Sequence, residues 1–182
     1  LHYPLRRQRQ MCIRDRSAAE AEALGPVDFS QLPDPTSPGP YGVAEKEQWW
    51  LTDTKRDRRF YVDVYRPQRW KPGQTPVAIL SHGLASRPED FDIAAKKLAS
   101  YGFVVALPQH PGSDLRQAEA LLRGEARQGY FPTDFIDRPL DISYVIDELE
   151  RRNAREFENR LNLTQVGVAG HSFGGCLLYT SP

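Results

Sequence analysis

Between residues 43 and 80 the apolar positions fall at the spacing of strands. Residues 43–51, which include Trp49 and Trp50, form one extended segment, and residues 60–65 form another, in which Phe60, Val62 and Val64 recur at every second position. The charged stretch 53–59 between them suits a hairpin loop. Trp49, Trp50 and Trp70 are expected to pack in the core or at the sheet edge. Val77-Ala78-Ile79-Leu80 is a short, continuous apolar run, the pattern of a strand buried on both faces.

Beyond this strand the pattern alternates between helix and strand. Ser86-Arg87-Pro88-Glu89 has the spacing of a capping box, and Phe91, Ala94, Ala95 and Leu98 then recur on one helical face, with Gly102 closing the helix. Residues 103–107 are the next buried strand, ended by Pro108. A short helix is expected between Asp114 and Gly129, followed by an aromatic loop with Tyr130, Phe131 and Phe135. A longer helix starts near residues 137–139 and carries the stripe Ile142, Val145, Ile146 and Leu149; its charged tail, 148–158, reads as a solvated face. Val166-Gly167-Val168-Ala169 is the last strand and runs straight into Gly170-His171-Ser172-Phe173-Gly174-Gly175. Two strands followed by strand–helix repeats predict an α/β fold. The sheet should be mainly parallel, with helices on both faces and antiparallel strands at its N-terminal edge.

Composition narrows the function without choosing it. A chain of 182 residues, 40% hydrophobic and 26% charged, can bury one sizeable core. It has no apolar run of about eighteen residues, so no transmembrane segment is expected. Its formal net charge is zero and no Lys/Arg stripe is present, so nucleic acid is not an expected partner.

Both ends differ in character from the rest. Residues 6–15, RRQRQMCIRD, back-translate to a sequence resembling the adapter of a transposase-based sequencing library, and residues 176–182, CLLYTSP, fit the reverse complement of its terminus. The expected organisation is therefore adapter-like residues 1–16, a Pro/Gly-rich arm or linker over 17–41, the N-terminal part of an α/β domain over 42–175, and adapter-like residues 176–182. Both cysteines, Cys12 and Cys176, fall in these ends, so cysteine usage indicates no redox compartment. Without the five arginines and one aspartate of residues 1–16, 19 basic and 23 acidic residues remain, a net charge of −4.

Gly170-His171-Ser172-Phe173-Gly174 matches the G-x-S-x-G nucleophile elbow. At a sharp strand-to-helix turn the residues two positions either side of the serine must be small. The helix that follows aims its N–H groups and positive dipole end at the reaction centre. Ser172 is therefore the candidate nucleophile, with Gly170, His171 and Gly174 supporting it. Acyl transfer also needs two N–H donors for the developing oxyanion. Phe173, after the nucleophile, supplies one, and Leu84 in Ser81-His82-Gly83-Leu84 is the candidate for the other, with Gly83 giving clearance. His82 reads as a buried histidine bonded to backbone. His110, with Asp114, is a candidate for lining a pocket. No metal-ligand spacing, phosphate loop or paired-cysteine motif occurs, so no metal or other cofactor is implied.

Ser81-His82-Gly83-Leu84, residues 98–106 and Gly170-His171-Ser172-Phe173-Gly174-Gly175 together resemble the platelet-activating-factor acetylhydrolase (plasma type) and predicted dienelactone-hydrolase group, over residues 60–175. The resemblance implies a truncated α/β-hydrolase fold and a serine esterase acting on short-chain or phospholipid-type esters, with Leu84 and Phe173 at the oxyanion hole. Dienelactone hydrolases proper use a cysteine nucleophile, so the serine here makes that name a family label and not a substrate. In this fold the triad runs Ser, Asp or Glu, His, which places acid and base after residue 175 and predicts an inactive, aggregation-prone chain as it stands. A non-catalytic binding protein on a hydrolase scaffold, and an acyltransferase or polyester hydrolase with the same nucleophile, are the competing readings.

Overall fold

The computed structural model describes residues 36–126 and 134–180. Within them lies a compact unit, Pro38–Thr180; the other unit, Leu1–Ser37 with Ser181–Pro182, falls outside the described residues except for Thr36 and Ser37. One five-stranded sheet organises the compact unit. Its strands are β1 (Glu47–Asp53), β2 (Arg58–Tyr65), β3 (Thr75–Ser81), β4 (Val104–Pro108) and β5 (Leu161–Gly170), in the spatial order β1-β2-β4-β3-β5. β1 and β2 form the antiparallel hairpin, β2 is antiparallel to β4, and β4, β3 and β5 run parallel. The helices are α1 (Asp92–Ser100), α2 (Leu115–Leu122), α3 (Asp134–Glu156) and α4 (Phe173–Thr180).

Burial follows the sequence pattern. In β1 the buried positions are Trp49, Leu51 and Asp53 and their neighbours are exposed, the period of two of an edge strand. All five residues of β4, and all but Pro76 of β3, are buried, as continuous apolar runs require. One sheet face packs Phe60, Val62, Val77, Ile79 and Val104 against Ile142, Val145 and Leu149 of α3. The other packs Ala78, Leu80, Val105 and Leu107 against Ala95 and Ala99 of α1. Helices thus cover both faces, and β3 and β5 bring their C-terminal ends together: Ser81 is paired with Gly170.

Several boundaries differ from expectation for local reasons. The cap before α1 sits one residue later than Ser86 and Glu89 suggest: Arg87 N–H donates to Asp90 Oδ2 (3.2 Å), a 3-10 turn spans Pro88–Phe91, and Glu89 instead accepts from the Tyr61 hydroxyl (3.4 Å). α3 begins at Asp134 and contains Pro139, whose missing N–H costs the helix one backbone bond. Tyr130 and Phe131 lie outside the described residues, and Phe135 belongs to α3. The tail of α3 is not wholly solvated: Glu148 is buried, the Arg152 guanidinium lies 4.2 Å over the Trp49 ring, and Phe157 joins the core. β5 starts at Leu161 because Leu161 and Asn162 pair with Thr75 and Pro76 before a bulge, where the Asn162 side chain accepts from Thr164 N–H (3.2 Å). Part of the Pro/Gly-rich arm is docked, since Gly39 and Tyr41 N–H groups bond Ser100 at the end of α1 (2.9 and 3.0 Å). Residues 176–180 continue α4.

Candidate active site

The turn after β5 is held by backbone. His171 N–H donates to the Ser81 carbonyl (3.3 Å), Ser172 adopts φ 52°, and Gly174 and Gly175 N–H groups close back on the His171 and Ser172 carbonyls (2.9 Å each). For a residue with a side chain, the left-handed region costs about 1–2 kcal/mol. Such strain persists where the surroundings over-determine it, and here they do. A methyl group at Gly170 would collide with the Gly174 carbonyl, and one at Gly174 would collide with the Ser81 carbonyl and lie 2.8 Å from that of His82. The small residues flanking the serine are therefore demanded by chain-on-chain contact. Ser172 itself is exposed, and Phe173 opens α4.

The loop after β3 lies against this turn. A Cβ placed on Gly83 would stand 3.5 Å from Ser172 Cβ and 3.4 Å from His171 Nδ1, in van der Waals contact with the turn that carries the nucleophile. Behind the loop, on α3, Arg138 is fully buried. Its Nη1 donates to the His82 carbonyl (2.6 Å), its Nη2 to the Gly83 carbonyl (3.1 Å) and its Nε to Ser113 Oγ (2.8 Å). The same guanidinium lies 4.5 Å over the ring of Phe173.

His82 is buried and backbone-bonded. Its Nε2 accepts from His110 N–H (3.2 Å), so Nδ1 carries the proton and donates to the Gly83 carbonyl (2.8 Å). Burial, then the neighbouring His110 and Arg138, lowers its pKa to about 3, and the ring is neutral. His110, the candidate for pocket lining, is also fully buried, with both ring nitrogens engaged: Nε2 with Ser81 Oγ (3.0 Å) and Nδ1 with Asp141 Oδ2 (2.9 Å). It therefore faces no open cleft. Asp114 is equally buried and instead caps α2, accepting from Gln117 N–H (3.1 Å).

Asp141 anchors this inner network. Burial disfavours its charge, but hydrogen bonds from His110 and Arg58 outweigh that and hold its carboxyl below the usual range. Arg58 binds both carboxylate oxygens (2.8 and 3.0 Å) and Arg56 adds a third contact (2.9 Å). His110 stays neutral because burial lowers its pKa against the pull of Asp141. Its Nδ1–H then donates to Asp141, and its Nε2 accepts the Ser81 hydroxyl proton.

Ser172, His171, Gly83 and the start of α4 at Phe173 are thus brought together at the C-terminal ends of β3 and β5. Sequence reading missed Arg138, Asp141, Arg58 and Ser113. The available signal was that Arg138, Asp141 and Glu148 share helical spacing with Ile142, Val145 and Leu149, charge set into an apolar stripe. Among the described residues no group of three His, Cys, Asp or Glu is arranged to hold a metal ion, and no helix is long and apolar enough to cross a membrane.

No family model and no curated protein matches this sequence. Solved structures do. A ferulic acid esterase from Streptomyces cinnamoneus superposes with a TM-score of 0.62 at 18% identity, over 80% of this chain and 57% of that one. A bacterial heroin esterase superposes with a TM-score of 0.55 at 20% identity, over 77% of this chain and 38% of its own. The chain spans less than two thirds of the length of either. At such identities the likeness speaks for architecture alone: the chain has the α/β-hydrolase fold.

Proposed function

We propose that this chain carries the nucleophile and oxyanion hole of a serine ester hydrolase acting on short-chain or phospholipid-type esters, of the platelet-activating-factor acetylhydrolase and dienelactone-hydrolase kind. The observation that carries the reading is the strained, exposed Ser172 (φ 52°) on a turn whose flanking glycines admit no side chain. That both structural neighbours are named as esterases supports it.

In this reading Ser172 Oγ attacks the ester carbonyl and its proton passes to a histidine base. The carbonyl oxygen becomes an oxyanion held by the N–H groups of Leu84 and Phe173. Collapse of the tetrahedral intermediate expels the alcohol, which takes the proton from the histidine, and leaves Ser172 acylated. Water, deprotonated by the same histidine, then releases the acid. His82 and His110 have no ring nitrogen to spare for this task. We assign acid and base to positions after Ser172, in the chain order of this fold. The test is hydrolysis of p-nitrophenyl acetate and butyrate by the full-length protein. Ser172→Ala should lose about a thousandfold or more in kcat, and a variant hydrolysing at the parent rate would refute the assignment.

A further inference from the structure

The fully buried Arg138 has a role that neither the elbow motif nor the fold explains. Resting on the serine-hydrolase reading above, we propose that Arg138 is the positioning residue of the oxyanion hole: its guanidinium clamps the Gly83–Leu84 peptide and braces Phe173, aligning the two N–H donors from behind.

The geometry follows from one peptide plane. In a trans peptide the carbonyl and the N–H point in opposite directions. The Gly83 carbonyl is turned inward onto two donors, Arg138 Nη2 (3.1 Å) and His82 Nδ1 (2.8 Å). The Leu84 N–H of the same peptide must then point away from the buried guanidinium, toward the surface where Ser172 is exposed. Leu84 N–H donates to no group among the described residues, as a donor reserved for a substrate oxygen requires.

A second bond, from Arg138 Nη1 to the His82 carbonyl (2.6 Å), fixes the preceding peptide, so the loop is held at two consecutive carbonyls by one rigid fork. The fork is itself braced by Ser113 Oγ on Nε (2.8 Å). Its face lies 4.5 Å over the ring of Phe173, whose N–H is the other donor. One side chain from α3 thus touches both halves of a hole that the sequence splits between residues 84 and 173. Lysine offers a point charge without the planar fork and would hold at most one carbonyl well.

The test uses the full-length protein and compares wild type, Arg138→Lys, Arg138→Met and Ser172→Ala. Two readouts are needed: kcat and KM on p-nitrophenyl butyrate, and the infrared carbonyl stretch of the acyl-enzyme, which falls when the oxyanion hole polarises the ester. Expected are losses in kcat of about tenfold for Arg138→Lys and about a hundredfold for Arg138→Met. KM should stay within about threefold, and the carbonyl stretch should rise toward that of an unbound ester. Normal kcat in a folded Arg138→Lys protein, or lowered kcat with an unmoved carbonyl stretch, would overturn the clamp. Where a position-138 variant does not fold, Ser113→Ala decides: it loosens the fork while keeping its charge, should raise the stretch by a smaller amount, and an unmoved stretch counts against the clamp. Ser172→Ala separates the two failures. If it remains active, the serine-hydrolase reading fails and the clamp with it; if it is dead while the Arg138 variants behave as wild type, only the clamp fails.

Discussion

Two serines stand at the C-terminal ends of neighbouring parallel strands, and they live in opposite chemical conditions. Ser81, the last residue of β3, is fully buried, and its Oγ lies 3.0 Å from His110 Nε2, whose Nδ1 lies 2.9 Å from Asp141. By residue type and order of contact this is the relay of a hydrolase triad. Ser172, two residues beyond the end of β5, is exposed on a strained turn, and no hydrogen bond holds its Oγ among the described residues. The complete relay is the one without access. A nucleophile has to come within about 3–3.5 Å of a carbonyl carbon along an open path, and Ser81 has no such path. Its relay serves as a strut joining β3, the loop after β4 and α3, with Arg58 tying in β2. The exposed serine has the other half of the requirement: reach, small neighbours and N–H donors nearby. Ser, His and Asp in hydrogen-bonding order do not by themselves identify a catalytic site.

The contrast can be broken at several points. The largest effect should be on chemistry. Ser172→Ala is expected to abolish ester hydrolysis, while Ser81→Ala keeps kcat within about twofold; comparable losses in both would mean that the buried relay takes part. Next comes Asp141→Asn. It leaves two half-buried arginines and the buried His110 facing a neutral amide, and removing one partner of a buried charge cluster typically costs about 3–5 kcal/mol. Urea denaturation measures this, and a cost under about 1 kcal/mol would show that the network is not a strut.

Acid should weaken the same strut in a defined window. His82 has a pKa of about 3 when folded against an ordinary 6.5, so below pH 6.5 the unfolded chain takes up a proton that the folded one refuses. Stability therefore falls as pH falls from 6.5 toward 3, by about 3 kcal/mol at pH 4, with His110 acting in the same direction. Below about pH 4, protonation of Asp141, whose carboxyl is held low in the fold, removes more. Denaturation midpoints that stay flat between pH 7 and 4 would contradict the neutral, buried assignment of both histidines. The smallest effect is the stability cost of Ser81→Ala, about 1–2 kcal/mol for leaving the lone pair of His110 unmet.

The exposed half of the comparison was legible in the sequence and the buried half was not. Glycines two positions either side of Ser172 announce a crowded turn, and the apolar runs at residues 77–80, 103–107 and 166–169 announce the parallel strands, the last of which leads to it. These are local signals, because sterics and burial act on consecutive residues. Arg138 and Asp141 send a weaker one. Each is charged where the α3 stripe should be apolar, but a charged residue on a helix is ordinarily solvated, and nothing nearby in the chain names its partner. Arg138 finds its acceptors 55 and 56 residues away, and Asp141 meets Arg58 across 83. The neutrality of His82 depends in the same way on burial and on His110 and Arg138, brought in from the loop after β4 and from α3.

By itself, then, the sequence determined the order of strands and helices, the elbow around Ser172 and the loop expected to face it, because backbone conformation and apolar period are written in neighbouring residues. Only the tertiary structure decided which serine is reachable, that His110 is a buried strut, and that a guanidinium from α3 stands behind the Gly83–Leu84 peptide. Those outcomes depend on desolvation and on charges meeting through space, and both arise only when distant segments pack.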